Sequence, residues 1–281
     1  MRVLVTGSGG QLGVDVVRLC QSHGDDVVSL GRAELDVTDS AAVFGVVEQS
    51  QPDIIINCAA WAAVDDCETD PVRADTVNHR AVATLAVASA SVGAHLVQLS
   101  TDYVFDGTKT TAYVETDQTN PLGVYGRSKL AGELAAGQDA TIVRTSWLCS
   151  EHGNNMVATI LSLSKKIPEL RFVCDQRGNP TFTSDLAKAL RQLAVARHAG
   201  LVHVTNAETV SWFEFARAVL AAAGEDPDRV SPICTADLSP PRPARRPSNS
   251  ALSNQLYVAS GYAPLPNFRE TLRTTVAAYL L

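Results

Sequence analysis

Residues Arg2–Gly13 read RVLVTGSGGQLG, and the fold follows from how that stretch is punctuated. Arg2 to Thr6 is a short apolar strand that runs straight into glycines, and Gln11 to Ser22 continues with helical spacing of its apolar residues. Glycines at positions 7, 10 and 13 give the spacing G-x-x-G-x-x-G between the two elements. Gly7 permits a tight turn, Gly10 lets a pyrophosphate approach the backbone, and Gly13 lets the helix pack against the sheet. The helix N-terminus then offers unpaired N–H groups and partial positive charge to an anion. Strand, glycine loop and helix in this order point to a dinucleotide site; the alternative is a glycine-rich turn without a ligand.

The same alternation continues outward. Val27–Leu30 reads as a second strand and Ser40–Gln49 as a second helix, and Asp53–Asn57 (DIIIN) suits a strand buried on both faces. Pro71–Val92 is a long alanine-rich helix with proline at its start, and His95–Leu99 and Thr141–Arg144 are further strands. The spacing predicts an α/β fold, a doubly wound parallel sheet, over residues 1–147. Beyond Trp147 the rhythm changes: helices are expected at Asn155–Lys165, Ser184–Ala196, Trp212–Ala223 and Phe268–Leu281, separated by irregular loops. Leu238–Pro247 (LSPPRPARRP) is excluded from regular structure by its prolines. Residues 148–281 are therefore expected to form a smaller lobe capping the sheet, from which a strand or helix can return to the first domain.

Composition narrows the function classes. Of 281 residues, 46% are hydrophobic and 19% charged, which fits a soluble globular enzyme and not a disordered chain. No apolar run approaches the roughly 18 residues that span a bilayer, and no export signal is visible, so a cytoplasmic protein with no membrane contact is expected. The net charge of -7 disfavours nucleic acid as a partner. Six cysteines form no C-x-x-C pair and six histidines no H-x-x-x-H pair, so neither a disulfide framework nor a metal site is expected.

Two places carry chemistry. The second strand ends in Gly31-Arg32, where an acidic residue would hold the ribose hydroxyls of NAD; a guanidinium suits the 2′-phosphate of NADPH. NADPH is favoured and NADH stays open, because Glu34 and Asp36 are close by. The second place is Tyr125-Gly126-Arg127-Ser128-Lys129, where the phenol and the ammonium fall on one helical face. A lysine cation stabilises a phenolate, so the tyrosine can give its proton to a carbonyl oxygen as hydride reaches the carbon. Upstream, Ser100-Thr101-Asp102-Tyr103 lies at the carboxyl end of the fourth strand, where ligands of open α/β sheets bind. Thr101 can hydrogen-bond the substrate carbonyl, and Asp102 and Tyr103 are candidate substrate contacts.

Glycine loop, Thr101 and Y-x-x-x-K together resemble the extended short-chain dehydrogenase/reductase superfamily, which has a Rossmann-type sheet. STDYVFDG (Ser100–Gly107), NPLGVYGRSKLAGE (Asn120–Glu133), RTSW (Arg144–Trp147), GNN (Gly153–Asn155), DQRGNPT (Asp175–Thr181) and RPSNS (Arg246–Ser250) are similar to the dTDP-4-dehydrorhamnose reductases. That resemblance implies reduction, with NADPH, of the C4 ketone of a dTDP-linked 4-keto-6-deoxy sugar, giving dTDP-L-rhamnose. It implies Thr101, Tyr125 and Lys129 as the catalytic trio, with Tyr125 and Lys129 also at the nicotinamide ribose. It implies Gly7, Gly10, Gln11 and Leu12 at the pyrophosphate, Asp36 and Val37 at the adenine, and Ala60, Trp61 and Ala62 beside the cofactor. Thr101, Asp102 and Trp147 match sugar contacts, Trp147 as a platform for a sugar face, and Gln176, Thr181 and Arg246 match the nucleotide end. Arg242, Arg245 and Arg246 are either a clamp for the diphosphate or a solvated loop. A 4,6-dehydratase would carry glutamate where Tyr103 stands. A related deoxysugar 4-ketoreductase, a non-catalytic dinucleotide-binding subunit and a homodimer remain open.

Overall fold

Alternating side chains of a parallel sheet, buried on both faces, organise the molecule. The computed structural model describes residues 1–280. In chain order the elements are β1 (Arg2–Thr6), α1 (Gln11–Ser22), β2 (Asp26–Leu30), α2 (Ser40–Ser50), β3 (Ile54–Asn57), α3 (Val64–Thr69), α4 (Pro71–Asp75), a π-helical turn (Thr76–Arg80), α5 (Ala81–Ser91), β4 (His95–Thr101), α6 (Val124–Ala136) and β5 (Thr141–Thr145). The second half adds β6 (Leu148–Cys149), α7 (Met156–Ser164), β7 (Leu170–Val173), β8 (Arg177–Gly178), β9 (Thr181–Phe182), α8 (Thr183–Val195), β10 (Gly200–His203), β11 (Val210–Ser211), α9 (Trp212–Ala222), β12 (Val230–Ile233), α10 (Gln255–Ala259) and α11 (Phe268–Leu280). Leu281, to which the sequence extends the last helix, lies outside the described residues.

Six parallel strands run in the order β10-β5-β4-β3-β1-β2. The order reverses between β1 and β3, so the carboxyl ends of these strands open a crevice beside the glycine loop. Strand residues alternate between faces. Val3, Val5, Ile54, Ile56, Val97 and Leu99 pack with Leu12 and Val16 of α1 and with Leu186, Leu190 and Leu193 of α8. Leu4, Ile55 and Leu96 pack on the opposite face with Val43, Val47, Val82 and Leu85. One face is therefore covered jointly by the first and second halves of the chain, and β10 pairs with β5 in register from Gly200↔Thr141 to His203↔Arg144. A second core joins Ile160, Leu170, Phe182, Phe215, Phe268 and Leu272. It holds α7, α9 and α11 around the two-stranded pairs β7/β12 and β6/β9.

The helix predicted over Pro71–Val92 is one continuous path broken by the π-helical turn at Thr76–Arg80. The extra residue in that turn aims Asn78 inward. Its Oδ1 accepts from Trp61 N–H (2.9 Å), and its Nδ2 donates to the Trp61 carbonyl (3.1 Å) and to Ser128 Oγ (3.0 Å). Interrupted helices of this kind mark functional positions more often than plain ones. The helix α3 and the short strand pairs of the second lobe carry too few residues to give a periodicity in the sequence.

Candidate functional site

The glycine loop is shaped by contacts that no side chain could share. Gly7 has φ +63°, and a Cβ there would come within 2.6 Å of Ala59 N. A Cβ on Gly13 would collide with the Gly7 carbonyl and lie 2.7 Å from Ser8 Cα, so this glycine lets α1 pack closely against the loop that leaves β1. Gly10 is the N-cap of α1, with no side-chain cap and no acid in the first turn, so the helix's first N–H groups are available to an anion. Gln11 Nε2 donates to the Asn154 carbonyl (2.8 Å), and its buried Oε1 has no partner among the described residues. Leu12 is part of the core. An open, uncapped, glycine-lined helix start fits the diphosphate of a dinucleotide.

Around the expected adenosine end, Arg32 is exposed and makes no hydrogen bond or ion pair among the described residues. Glu34 reaches back over the loop edge: its Oε2 lies 2.8 Å from where a Gly31 Cβ would be, and Ser8 Oγ and Gly9 N lie 3.8 Å from that same point. Asp36 accepts from Thr38 N–H (2.9 Å) and Oγ1 (2.7 Å), bonds that hold its carboxyl below the usual range. The Val37 side chain is buried in the core, which leaves only its backbone for an adenine contact. Ala60 and Ala62 are exposed, and the Trp61 ring lies under the Arg73 guanidinium at 4.5 Å.

β4 and α6 bring the trio together. Thr101, 5% exposed at the end of β4, donates to Asp102 Oδ1 (3.0 Å) and accepts from Tyr103 N–H (3.2 Å). Tyr125 is half-buried in the first turn of α6; burial pushes its phenol up, and the Thr101 hydroxyl opposes the push. One turn on, Lys129 Nζ donates to the Leu99 carbonyl (2.6 Å), and burial lowers this amine to about 8. Gly126 is required between them, because a Cβ there would collide with the Tyr103 carbonyl and lie 2.9 Å from Pro121 Cβ. Behind Lys129, Glu133 takes Ser100 Oγ (2.5 Å) and both Arg144 Nε (2.8 Å) and Nη2 (2.7 Å), a buried pair that seats α6 on β4 and β5. Burial raises Asp102 to about 7. Its Oδ2 has no partner of ordinary geometry among the described residues, because the nearby Ser250 hydroxyl donates to the Arg177 carbonyl (3.3 Å).

The second lobe presents its residues differently from the expectation. Trp147 has φ +45°. Its ring stacks on Trp212 with centroids 3.6 Å apart and planes at 6°. A Cβ on Gly178 would sit 2.6, 2.7 and 2.9 Å from Trp147 Cε2, Nε1 and Cζ2. Near-equal distances to three adjoining ring atoms put Gly178 over the indole, so both faces are taken and Trp147 offers its edge, not a platform for a sugar face. Thr181 is fully buried, with its hydroxyl on the Asn179 carbonyl (3.2 Å), and Gln176, 6% exposed, donates to Thr235 Oγ1 (2.9 Å). Neither side chain is open to a ligand, in correction of the sequence expectation.

The arginine loop is neither free nor simply solvated. Arg246 makes a two-pronged pair with Asp65 of α3 (2.6 and 2.7 Å), and Ala244 N–H donates to the same carboxylate (3.1 Å). Arg242 stands 3.7 Å from Asp65, while Arg245 is exposed. The Arg246 cation acts on the phenol of Tyr103, opposing its upward push by burial, and the Tyr103 ring meets Tyr125 edge-on at 5.9 Å. The proline-rich loop is thus strapped against the trio, and the crevice lined by Tyr103, Tyr125, Arg245 and Pro247 is only about 10 Å³. Asp65, Asn78, Gly178 and Trp212 escaped the sequence reading, since each acts through a residue far away in the chain.

Asp15, Glu151 and His152 bring ligand-type atoms within 4.8 Å of one another. Arg18 already supplies a cation there, at 3.0 Å from His152 Nε2 and 3.7 Å from Glu151. No helix among the described residues is long and apolar enough to cross a membrane.

The sequence pattern of a family described as the RmlD substrate binding domain matches residues 1–281. The chain is 42% identical over 286 residues to a dTDP-4-dehydrorhamnose reductase of Mycobacterium tuberculosis, covering 99% of this chain and 93% of that one. It is 41% identical over 280 residues to a probable dTDP-4,6-dihydroxy-2-methyloxan-3-one 4-ketoreductase of Streptomyces antibioticus, covering 97% and 94%. The crystal structure of dTDP-4-dehydrorhamnose reductase from Bacillus anthracis in complex with NADP superposes with a TM-score of 0.93, at 36% identity and 98% coverage of both chains.

Proposed function

The chain belongs to the RmlD substrate binding domain family, and from that premise we propose that it uses NADPH to reduce the C4 ketone of dTDP-4-dehydro-6-deoxy-L-mannose to dTDP-L-rhamnose. The observation that carries the reading is the convergence of Thr101, Tyr125 and Lys129 at the end of β4, beside the uncapped start of α1. The backbone of Gly10, Gln11 and Leu12 would hold the diphosphate of NADPH and Arg32 its 2′-phosphate, and the bound cofactor would supply the hydride. Lys129 holds the nicotinamide ribose and keeps positive charge beside Tyr125. Thr101 donates to the keto oxygen and fixes its direction. Tyr125 passes its phenolic proton to that oxygen as negative charge develops there, and Lys129 stabilises the phenolate left behind. In this reading Asp102 and the Trp147 edge contact sugar hydroxyls, and the strap carrying Arg245 and Arg246 takes the diphosphate.

A 4-ketoreductase acting on a related dTDP-deoxysugar is the second reading, supported by 41% identity to the Streptomyces antibioticus protein. A cytoplasmic location and a homodimer extend the first reading. The exposed Val72, Val87 and Leu134 supply apolar surface for a second copy, and sedimentation of the purified 29.8 kDa chain tests this. The test of the reaction is loss of NADPH absorbance with enzymatically prepared dTDP-4-dehydro-L-rhamnose and identification of the product by NMR. Rapid oxidation yielding dTDP-L-rhamnose is expected. NADPH binding without oxidation would move the assignment to another keto sugar or to a binding role.

A further inference from the structure

We infer that Cys174 and Cys234 form a redox-modification site, a dithiol that a small-molecule disulfide of the glutathione type converts reversibly to an intramolecular disulfide. Strand register builds the pair. β7 and β12 run parallel with Val173 opposite Ile233, and Cys174 N–H donates to the Ile233 carbonyl (3.0 Å), so the next residue of each strand stands beside the other. Neighbouring strands are about 4.8 Å apart, inside the roughly 4.4–6.8 Å between Cα atoms that a disulfide bridges. Side chains at paired positions of parallel strands fall on the same face of the ribbon, and Cys174 is the leading influence on the Cys234 thiol, which it raises. Cys234 is exposed and Cys174 half-buried, both as free thiols, so a reagent meets Cys234 first. Of the others, Cys20, Cys67 and Cys149 are buried, and burial pushes the half-buried Cys58 up to about 12.

The chemistry is two exchanges. Cys234, deprotonated to solvent, attacks one sulfur of the reagent; an S–S bond forms and one reagent thiolate leaves. Cys174, also deprotonated to solvent, then attacks Cys234 Sγ; the protein disulfide forms and the second reagent thiolate leaves. The protein loses two hydrogens, and its two electrons reduce one reagent disulfide to two thiols. The thiolate is the attacking form, so the first exchange is faster as pH rises. The bridge would reinforce an existing junction, since Asp175 already accepts from Thr235 N–H (2.9 Å) and Oγ1 (2.7 Å). From this junction the chain runs on into the arginine strap. Resting on the function proposed above, oxidation should therefore change KM for the sugar nucleotide more than kcat.

The test treats the folded full chain with oxidised glutathione at mildly alkaline pH, then denatures and alkylates it, and measures intact mass and non-reduced peptides. The expected result is a loss of two hydrogens, a fall in alkylatable thiols from six to four, and a 174–234 cross-linked peptide that dithiothreitol releases. Cys174→Ser should instead accumulate a mixed disulfide on Cys234, and Cys234→Ser should do neither while keeping untreated turnover. A stable glutathione adduct on Cys234 with Cys174 still alkylatable, or six alkylatable thiols after long exposure, would overturn the pair. These mass readouts need no sugar substrate, so failure of the pair and failure of the proposed reaction are separable.

Discussion

The β4–α6 side of the cleft and the strap–Trp147 side are held by different kinds of contact. On the first side each proposed functional group is placed by its own element: Lys129 is one helical turn from Tyr125, and Thr101 is the last residue of its strand. On the second side each is placed from a distance. Trp147 is sandwiched by Trp212 and Gly178, and Arg246 is held by Asp65, 181 positions away. Local placement makes the first side a set of parts that can be removed singly. Remote placement makes the second side fail through its partners, so damage there should show as altered binding before altered chemistry.

The comparison is broken most directly at Tyr125. Tyr125→Phe deletes the proton donor alone, and kcat should fall by about 10²- to 10⁴-fold. The NADPH Kd, measured by fluorescence titration, should hardly move; near-normal turnover would mean that the local side does not carry the proton. Next comes the pH profile. Burial favours the neutral amine of Lys129, so its cation is lost as pH rises through about 8. The kcat/KM of the free enzyme should decline across that range, and a flat profile there would remove Lys129 as the source of charge.

Gly178→Ala probes the remote side. The added methyl would lie 2.6 Å from Trp147 Cε2, and overpacking of this kind costs about 1–3 kcal/mol. Melting temperature should fall and KM for the sugar nucleotide should rise with kcat largely kept; an unchanged melt would show that the indole is free to move aside. Asp65→Asn is expected to be milder, about 1–2 kcal/mol for losing one partner of a partly exposed pair. Hydrogen bonding from Arg246 depresses the Asp65 carboxyl below its ordinary 3.8. The stabilisation is therefore present above that value and lost as pH falls through the depressed one. Melting curves of the two proteins should differ near neutrality and converge in acid; a constant gap would place the loss elsewhere.

How far the sequence could be read follows the same division. The doubly wound sheet was legible because its strands are short apolar runs such as DIIIN, buried on both faces, alternating with helices that bury stripes, both of which are local signals. Tyr125 and Lys129 were legible because their spacing is a fact of one helix. The stacking of Trp147 was not, because nothing near RTSW announces Trp212. Gln176 and Thr181 stand in a recognisable string, yet their side chains close internal bonds to Thr235 and Asn179. Arg246 reads as a free cation until α3, too short to show a period, brings Asp65 beneath it. The interruption at Thr76–Arg80 is likewise invisible in an alanine-rich run, although it is what turns Asn78 towards Trp61.

The smallest expected effect lies at Arg32, where the two kinds of placement meet. The residue follows a local element, but no partner among the described residues orients it, and Glu34 sits nearer the loop. One exposed, charge-assisted hydrogen bond to a 2′-phosphate contributes about 1.4 kcal/mol at most, or roughly tenfold in affinity. Arg32→Ala should therefore weaken NADPH by no more than that and leave NADH unchanged. Glu34→Gln should do the reverse for NADPH by removing a like charge. Paired KM measurements with both cofactors separate the outcomes. If neither substitution moves the ratio, the 2′-phosphate is read by backbone alone, and preference belongs to the loop's geometry and not to its charges.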